Sequence, residues 1–360
     1  MNAQVVEKLA TQLHAQHAAF DISAFTRSVN PELASLKLKD RINLIADAIA
    51  EHFPGDYRAA LSAVCRVAEA GIDPWAAWPL CSFVERHGTH DPEASLAAMP
   101  TLTKRWSCEF AIRPFLDDHL EVTRQYLRRW VDDEDEAVRR LPSEGTRPFL
   151  PWGPNVAALI DDPQIGIELL TKLRHDPSET VRRSVANHLN DVAKFEPDLV
   201  VDLLWAWTNE AEPVDSRMVS HALRTLVKRG SPRALALLGF TTDPKISVVE
   251  FSCTPTQVDM GTQIVLSASL TSTSRDAQHL VVDFVVHHVN ANGATSPKVF
   301  KWTKSKLAPR ATTQLVKRRT IQHASTRTYH PGIHRVDLQV GGQCLATTQF
   351  EITTAGPSTC

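Results

Sequence analysis

Three stretches of this chain hold more acidic, aromatic and arginine side chains than a plain scaffold needs. They are RWSCEFAIRPFL (105–116), VRRLPSEGTRPFLPWG (138–153) and VRRSVANHLNDVAK (181–194). Their carboxylates, Glu109, Glu144 and Asp191, could face a positive charge, their arginines an anion, and Trp152 offers an aromatic face. Glu109 and Glu144 are each followed closely by Arg-Pro-Phe-Leu, so the first two stretches look like variants of one local structure. Spacing alone favours a structural role for all four. Glu109 could pair with Arg113 one turn away and Glu144 with Arg147, Asp191 could bond backbone groups in its helix, and Trp152, between Pro151 and Gly153, could pack a loop.

The elements that must carry these residues are helical up to about residue 240. KDRINLIADAIAEHF, YRAALSAVCRVAEA, GIELLTKLRHD and PDLVVDLLWAWTN place apolar residues three and four apart. Breaks fall at Pro54-Gly55, Gly71 to Pro74, Asp91-Pro92, Asp162-Pro163, Asp176-Pro177 and Glu212-Pro213, where Asp or Ser ahead of a run is a natural N-cap. Val138-Arg139-Arg140 aligns with Val181-Arg182-Arg183 at a shift of 43 residues, a period that fits paired-helix repeats of the HEAT type. In that register Glu144 and Asn187 are equivalent, and Asp191 follows Asn187 by one turn. Stacked repeats put equivalent positions side by side, so the three polar stretches are expected to converge on one concave face. Trp106, Trp205 and Trp207 read as packing residues.

After about Asp243 the period becomes two. ISVVEF, QIVLSASL, HLVVDFVVHHV, KVFKW, TTQLVKR, IHRVDLQV and CLATTQFEI read as seven strands, the pattern of an immunoglobulin-like sandwich. Tyr329-His-Pro-Gly332 loosely resembles a tyrosine corner. The expected fold is therefore mainly α: a HEAT-like α-helical repeat superhelix over 1–243, followed by a β-sandwich over 246–354. Residues 246–360 carry eleven basic and six acidic side chains, net +5, and the remainder is −7. A basic module on an acidic one is suited to a polyanionic partner. Lys298, Lys301, Lys304 and Lys306, with Lys317-Arg318-Arg319, concentrate that charge.

Several classes are disfavoured. The six cysteines, at 65, 81, 108, 253, 344 and 360, contain no CxxC pair; only Cys253 and Cys344 could bridge two sheets, which a reducing compartment disfavours. His14/His17 and His87/His90 lack an acid to complete a ligand set, so no metal or cofactor is expected. The first twenty residues are amphipathic and do not read as a signal peptide, and every apolar run is too interrupted to span a membrane. A cytoplasmic monomer is the expectation.

The EFAIRPF, VRRLxSEGxRPxLPW and VRRSVANxLND strings, in this order, strongly resemble DNA alkylation-repair glycosylases of the AlkC branch, within the HEAT-like AlkC/AlkD superfamily. The resemblance covers most of residues 1–240, and members of the branch can carry a C-terminal immunoglobulin-like domain. It implies hydrolysis of the N-glycosidic bond of cationic bases such as 3-methyladenine and 3-methylcytosine in double-stranded DNA, a step of base excision repair carried out at the nucleoid. Glu109, Glu144 and Asp191 would then stabilise an oxocarbenium-like sugar and orient a water, and Trp152 would lie against the cationic nucleotide. Arg113, Arg140, Arg147, Arg182, Arg183 and Asn187 would contact DNA. The sequence shows no zinc motif, helix-hairpin-helix glycine hairpin or obvious aromatic cage, and the resemblance implies instead a superhelix that grips the backbone and engages the lesion without a deep base pocket. The rivals are a HEAT adaptor for another protein and a structure-specific DNA-binding protein without catalysis.

Overall fold

A computed structural model describes residues 1–322 and 328–353 of the chain. Position 354, the expected end of the sandwich, and Cys360 lie outside the described residues. Helices fill the chain up to Leu237 and strands begin at Ile246. Five aspartates act as N-caps, whereas at the breaks Asp162-Pro163 and Asp176-Pro177 the cap positions fall on Pro163 and Ser178, which make no side-chain cap hydrogen bond. Asp21, Asp56, Asp73, Asp91 and Asp135 each accept a hydrogen bond from a backbone N–H in the first turn of the helix that follows.

The chain divides into two compact units. The first comprises Met1–Glu196 with Glu210–Ala222. Helix Leu38–His52 buries one apolar stripe, Ile42, Ile45, Ala46, Ala48 and Ile49, whereas helix Pro74–His87 is buried continuously from Ala76 to Val84. The 43-residue repeat is visible bond by bond. Arg139 Nη1 donates to the carbonyls of Asp133 and Glu134 ahead of helix Glu136–Gly145. Arg182 Nη1 donates to the equivalent carbonyls of Asp176 and Pro177 ahead of helix Glu179–Val192. The first arginine of each Val-Arg-Arg triplet thus ties down the loop before its own helix. The second is left for other work.

The second unit comprises Pro197–Asn209 and the described residues from Leu223 onward, so three helical segments group with the sheets. Eight strands form it: β1 (Ile246–Thr254), β2 (Gln257–Val258), β3 (Gln263–Ser272), β4 (Gln278–Val289), β5 (Thr295–Leu307), β6 (Thr312–Thr320), β7 (Gly332–Val340) and β8 (Gln343–Ile352). They make a three-stranded sheet, β1-β3-β6, and a five-stranded sheet, β2-β8-β7-β4-β5. The seven expected strands are present, and two-residue β2, too short to show a period, pairs parallel to β8. The alternating residues Leu266, Ala268 and Leu270 of β3, Val282, Phe284 and Val286 of β4 and Val336, Leu338 and Val340 of β7 form the core. Gly230, just past helix Arg224–Lys228 and its cap Arg229, meets the β7–β8 turn so closely that a Cβ on Gly342 would stand 2.1 Å from the Gly230 Cα. Both glycines have positive φ, and only glycine permits that approach.

Cys253 and Cys344 are free thiols. Tyr329 accepts a hydrogen bond from Arg319 Nη2 at 2.9 Å. No helix among the described residues is long and apolar enough to cross a membrane.

Candidate active site

The site grows from the last turn of helix Glu136–Gly145, the face of helix Glu179–Val192 packed against it, and the segment before helix Arg113–Asp118. Glu144 is buried at the end of the first. Its Oε1 accepts from Arg147 Nη1 at 2.6 Å, and its Oε2 accepts from Ser184 Oγ at 2.6 Å with Arg140 Nη2 at 3.4 Å. Asp191, also buried, accepts from Arg147 Nε at 2.8 Å on Oδ2 and from Lys194 Nζ at 2.7 Å on Oδ1. Arg147 therefore bridges two carboxylates on neighbouring repeats. Arg140 Nη1 reaches Ser107 Oγ at 3.0 Å and Glu109 Oε2 at 3.2 Å, and Ser107 donates to that same oxygen at 2.8 Å.

The three carboxylates are matched by three cations, Arg140, Arg147 and Lys194. They are not equally engaged. Both oxygens of Glu144 and of Asp191 are bonded, whereas among the described residues Glu109 Oε1 takes no hydrogen bond. Glu109 is also the least buried of the three, at 18% side-chain exposure against 7% and 2%. Burial works to raise the Glu144 pKa, but Arg140, Arg147 and the Ser184 hydrogen bond outweigh it and hold the carboxyl below its ordinary value. The same carboxylates hold Arg147 above its own, against burial. His188, behind Glu144, donates from Nδ1 to the Ser143 carbonyl at 3.0 Å. Burial lowers its pKa to about 4, so it is a neutral fixture at physiological pH. Gly166 leaves it room: a Cβ there would stand 2.5 Å from the imidazole.

Several residues sit elsewhere than expected. Arg113 is fully buried; its Nη1 donates to the carbonyls of Gly145 and Arg147, both at 2.9 Å, and its Nε to that of Pro154 at 2.7 Å. A guanidinium enclosed in this way is a clamp on the 145–154 loop and cannot meet a phosphate. Burial lowers its pKa to about 10, which leaves it charged at neutral pH. Glu109 pairs with Arg140, one repeat away, in place of Arg113. Arg147 is committed inside the network. Arg182 carries the loop bonds described above, while Arg183 is exposed. Both line a cavity of about 180 Å³ with Arg217 and His221. Asn187 accepts from His221 Nε2 at 2.8 Å, beside that cavity. Trp152 stands 72% exposed, with its backbone in the left-handed region at φ 68°. Trp106 and Trp207 pack as expected, but Trp205 is 61% exposed, because residues two apart on a helix face different ways.

In the sandwich the basic residues occupy β5 and β6, an edge strand of each sheet. Lys298, Lys301, Lys304, Lys306 and Arg318 are exposed. The pleat splits the Lys317–Arg319 run: Arg319 turns inward, its guanidinium carbon 3.9 Å from the Phe300 ring centroid, while Arg318 points out. Reading the sequence missed Ser107, Ser184 and Lys194. Ser184 had a signal, since it precedes Asn187, His188 and Asp191 at helical spacing. No group of metal-ligating residues occurs among the described residues.

Comparison with known proteins gives three findings. The family model described as "Uncharacterised protein YhaZ, C-terminal Ig-like domain" matches residues 247–354. The curated protein YhaZ of Bacillus subtilis (strain 168) is 30% identical over 352 residues, 98% of each chain. The solved structure of the Pseudomonas fluorescens alkylpurine DNA glycosylase AlkC, bound to DNA containing an abasic site analog, is 33% identical, covers 98% of each chain and superposes with a TM-score of 0.91.

Proposed function

We infer function from family membership: this chain belongs to the AlkC branch of the HEAT-like AlkC/AlkD superfamily. It acts as a DNA glycosylase of base excision repair, releasing cationic alkylated bases such as 3-methyladenine and 3-methylcytosine from double-stranded DNA. The observation that carries the chemistry is the asymmetry among the carboxylates, in which Glu109 alone keeps an oxygen without a hydrogen bond.

As the C1′–N bond breaks, its electron pair goes to the base, which leaves neutral, and positive charge develops on the deoxyribose. Glu109 faces that charge and takes the proton of the water that adds to C1′, leaving an abasic site. Glu144 and Asp191 act mainly from behind, holding Arg140 and Arg147 so that Glu109 is fixed without reorganisation. Trp152 lies against the nucleotide, where contact with the ring strengthens as charge appears. The direct test is to incubate the protein with duplex carrying methylated bases and quantify free base. Tight binding with no base released would make the chain a DNA-binding protein or an adaptor.

Exposed Arg183, together with Arg182, Asn187 and the basic side chains of β5 and β6, is assigned to DNA contacts. Because helices Pro197–Thr208 and Arg224–Lys228 group with the sheets, deleting residues 246–360 would cut through a compact unit. Replacing Lys298, Lys301, Lys306 and Arg318 by Gln keeps the chain whole. Each lost phosphate contact lowers the slope of log K against log salt by about 0.9, so the fourfold variant is expected to lose about 3 to 4 from its slope. A slope equal to that of the unmodified protein would assign this face to something other than DNA.

A further inference from the structure

Trp152 holds an unusual backbone for a bulky residue, and several groups outside the carboxylate network hold it there. Left-handed φ in a residue with a Cβ persists only where the surroundings over-determine it. On one side the Gly153 N–H donates to the Leu150 carbonyl at 3.1 Å, and Arg113 holds the Pro154 carbonyl. On the other, Lys39 Nζ donates to the Trp152 carbonyl itself at 3.0 Å. Lys39 comes from the first turn of helix Leu38–His52, 113 positions earlier in the chain. Its ammonium also lies 4.9 Å from the ring centroid of Phe110, the residue that follows Glu109. Phe110 in turn stacks on Trp78, at 6.1 Å between centroids, so the ring under Lys39 is braced. A carbonyl held from a fixed ammonium fixes the peptide plane between 152 and 153, and with it the direction in which the indole leaves the backbone.

We propose that Lys39 is a positioning residue for the glycosylase reaction, aiming the Trp152 indole at the bound nucleotide by gripping its carbonyl from the Phe110 ring beside Glu109. The inference rests on the reading of Trp152 as a nucleotide contact. Lys39 touches neither substrate nor the reacting atoms in this role.

The test is single-turnover release of a methylated base by the full chain at saturating enzyme. It compares the unmodified protein with Lys39→Met, Lys39→Arg, Trp152→Ala and the Lys39→Met/Trp152→Ala double variant. A charge-assisted hydrogen bond of this kind makes the expected slowing for Lys39→Met about tenfold. Lys39→Arg restores most of the rate, because a guanidinium can also donate to the carbonyl and stack on Phe110. In the Trp152→Ala background Lys39→Met causes no further slowing, since there is no indole left to aim. Equal slowing in both backgrounds would make Lys39 a general structural or phosphate-binding cation and overturn the proposal. So would a Lys39→Met rate equal to that of the unmodified protein while Trp152→Ala is slow. A normal rate for Trp152→Ala would instead overturn the reading of Trp152 on which the proposal stands.

Discussion

Glu109→Gln is expected to slow single-turnover base release by about 10²–10³, the usual scale for removing one preorganised electrostatic group, and to leave the melting temperature nearly unchanged. Glu144→Gln should slow release by a similar factor and also destabilise the fold. The difference follows from their surroundings. Glu109 is partly exposed and has one oxygen free of hydrogen bonds, so an amide of the same shape removes charge and little else. Glu144 is buried between Arg140, Arg147 and Ser184, so its amide leaves two guanidinium groups short of a counter-charge. Breaking a buried pair from one side costs about 3 kcal/mol. The folded pKa of Glu144 is depressed, so its contribution to stability is present above the unfolded carboxylate value of about 4.3 and is lost as pH falls through the lower folded value. The gap in stability between the unmodified protein and Glu144→Gln should therefore narrow below about pH 4. Urea titrations at pH 7 and pH 3.5, run beside the kinetics, check both halves. A Glu109→Gln variant with an unimpaired rate would remove the proposed mechanism.

The second large effect concerns the substrate. Duplexes with a single cationic 3-methyladenine or 3-methylcytosine should lose that base, whereas uracil, hypoxanthine and 1,N6-ethenoadenine should be retained, with rates at least about 10³ lower. A neutral base leaves as a poor anion unless a general acid protonates it. Arg147 and Arg113 stay charged, and Glu144 is held ionised by its arginines. His188, the nearest imidazole, is buried, neutral, and already donating from Nδ1 to a carbonyl. None of these can deliver a proton at neutral pH. A second cavity of the first unit, of about 330 Å³, lies at Phe53, Tyr57, Arg86 and His90, among residues that contribute nothing to the carboxylate network. Released base should be quantified directly at saturating enzyme. Efficient excision of uracil or hypoxanthine would point to an acid catalyst and a base pocket at another place in the molecule.

What was legible in the sequence was whatever repeats or alternates. The Val-Arg-Arg register at 43 residues anticipated two helices whose loop bonds coincide residue for residue. Alternation along β3, β4 and β7 anticipated the sandwich core. The destination of an arginine was not legible. Arg113 and Arg183 look alike in one dimension, yet one is enclosed by three carbonyls and the other stands in solvent, because that depends on which loops return to meet it. Distant partners were equally silent. Lys39 lies in an ordinary amphipathic helix, and nothing near it in sequence mentions Trp152. The split of Lys317, Arg318 and Arg319 between two faces, by contrast, follows from the two-residue period and could have been read directly.

The left-handed backbone at Trp152 also bears on how this protein would respond to selection. A side chain at φ 68° costs about 1–3 kcal/mol that a glycine would not incur, partly offset by the greater freedom of an unfolded glycine chain. A laboratory population screened for heat resistance alone would therefore drift toward glycine at 152, gaining roughly 1 kcal/mol and losing its exposed indole. The same population screened for survival under methylating agents would keep the tryptophan and its strain. Under the nucleotide contact proposed for Trp152, robustness and repair would pull position 152 in opposite directions, and its identity after evolution would record which pressure had been applied.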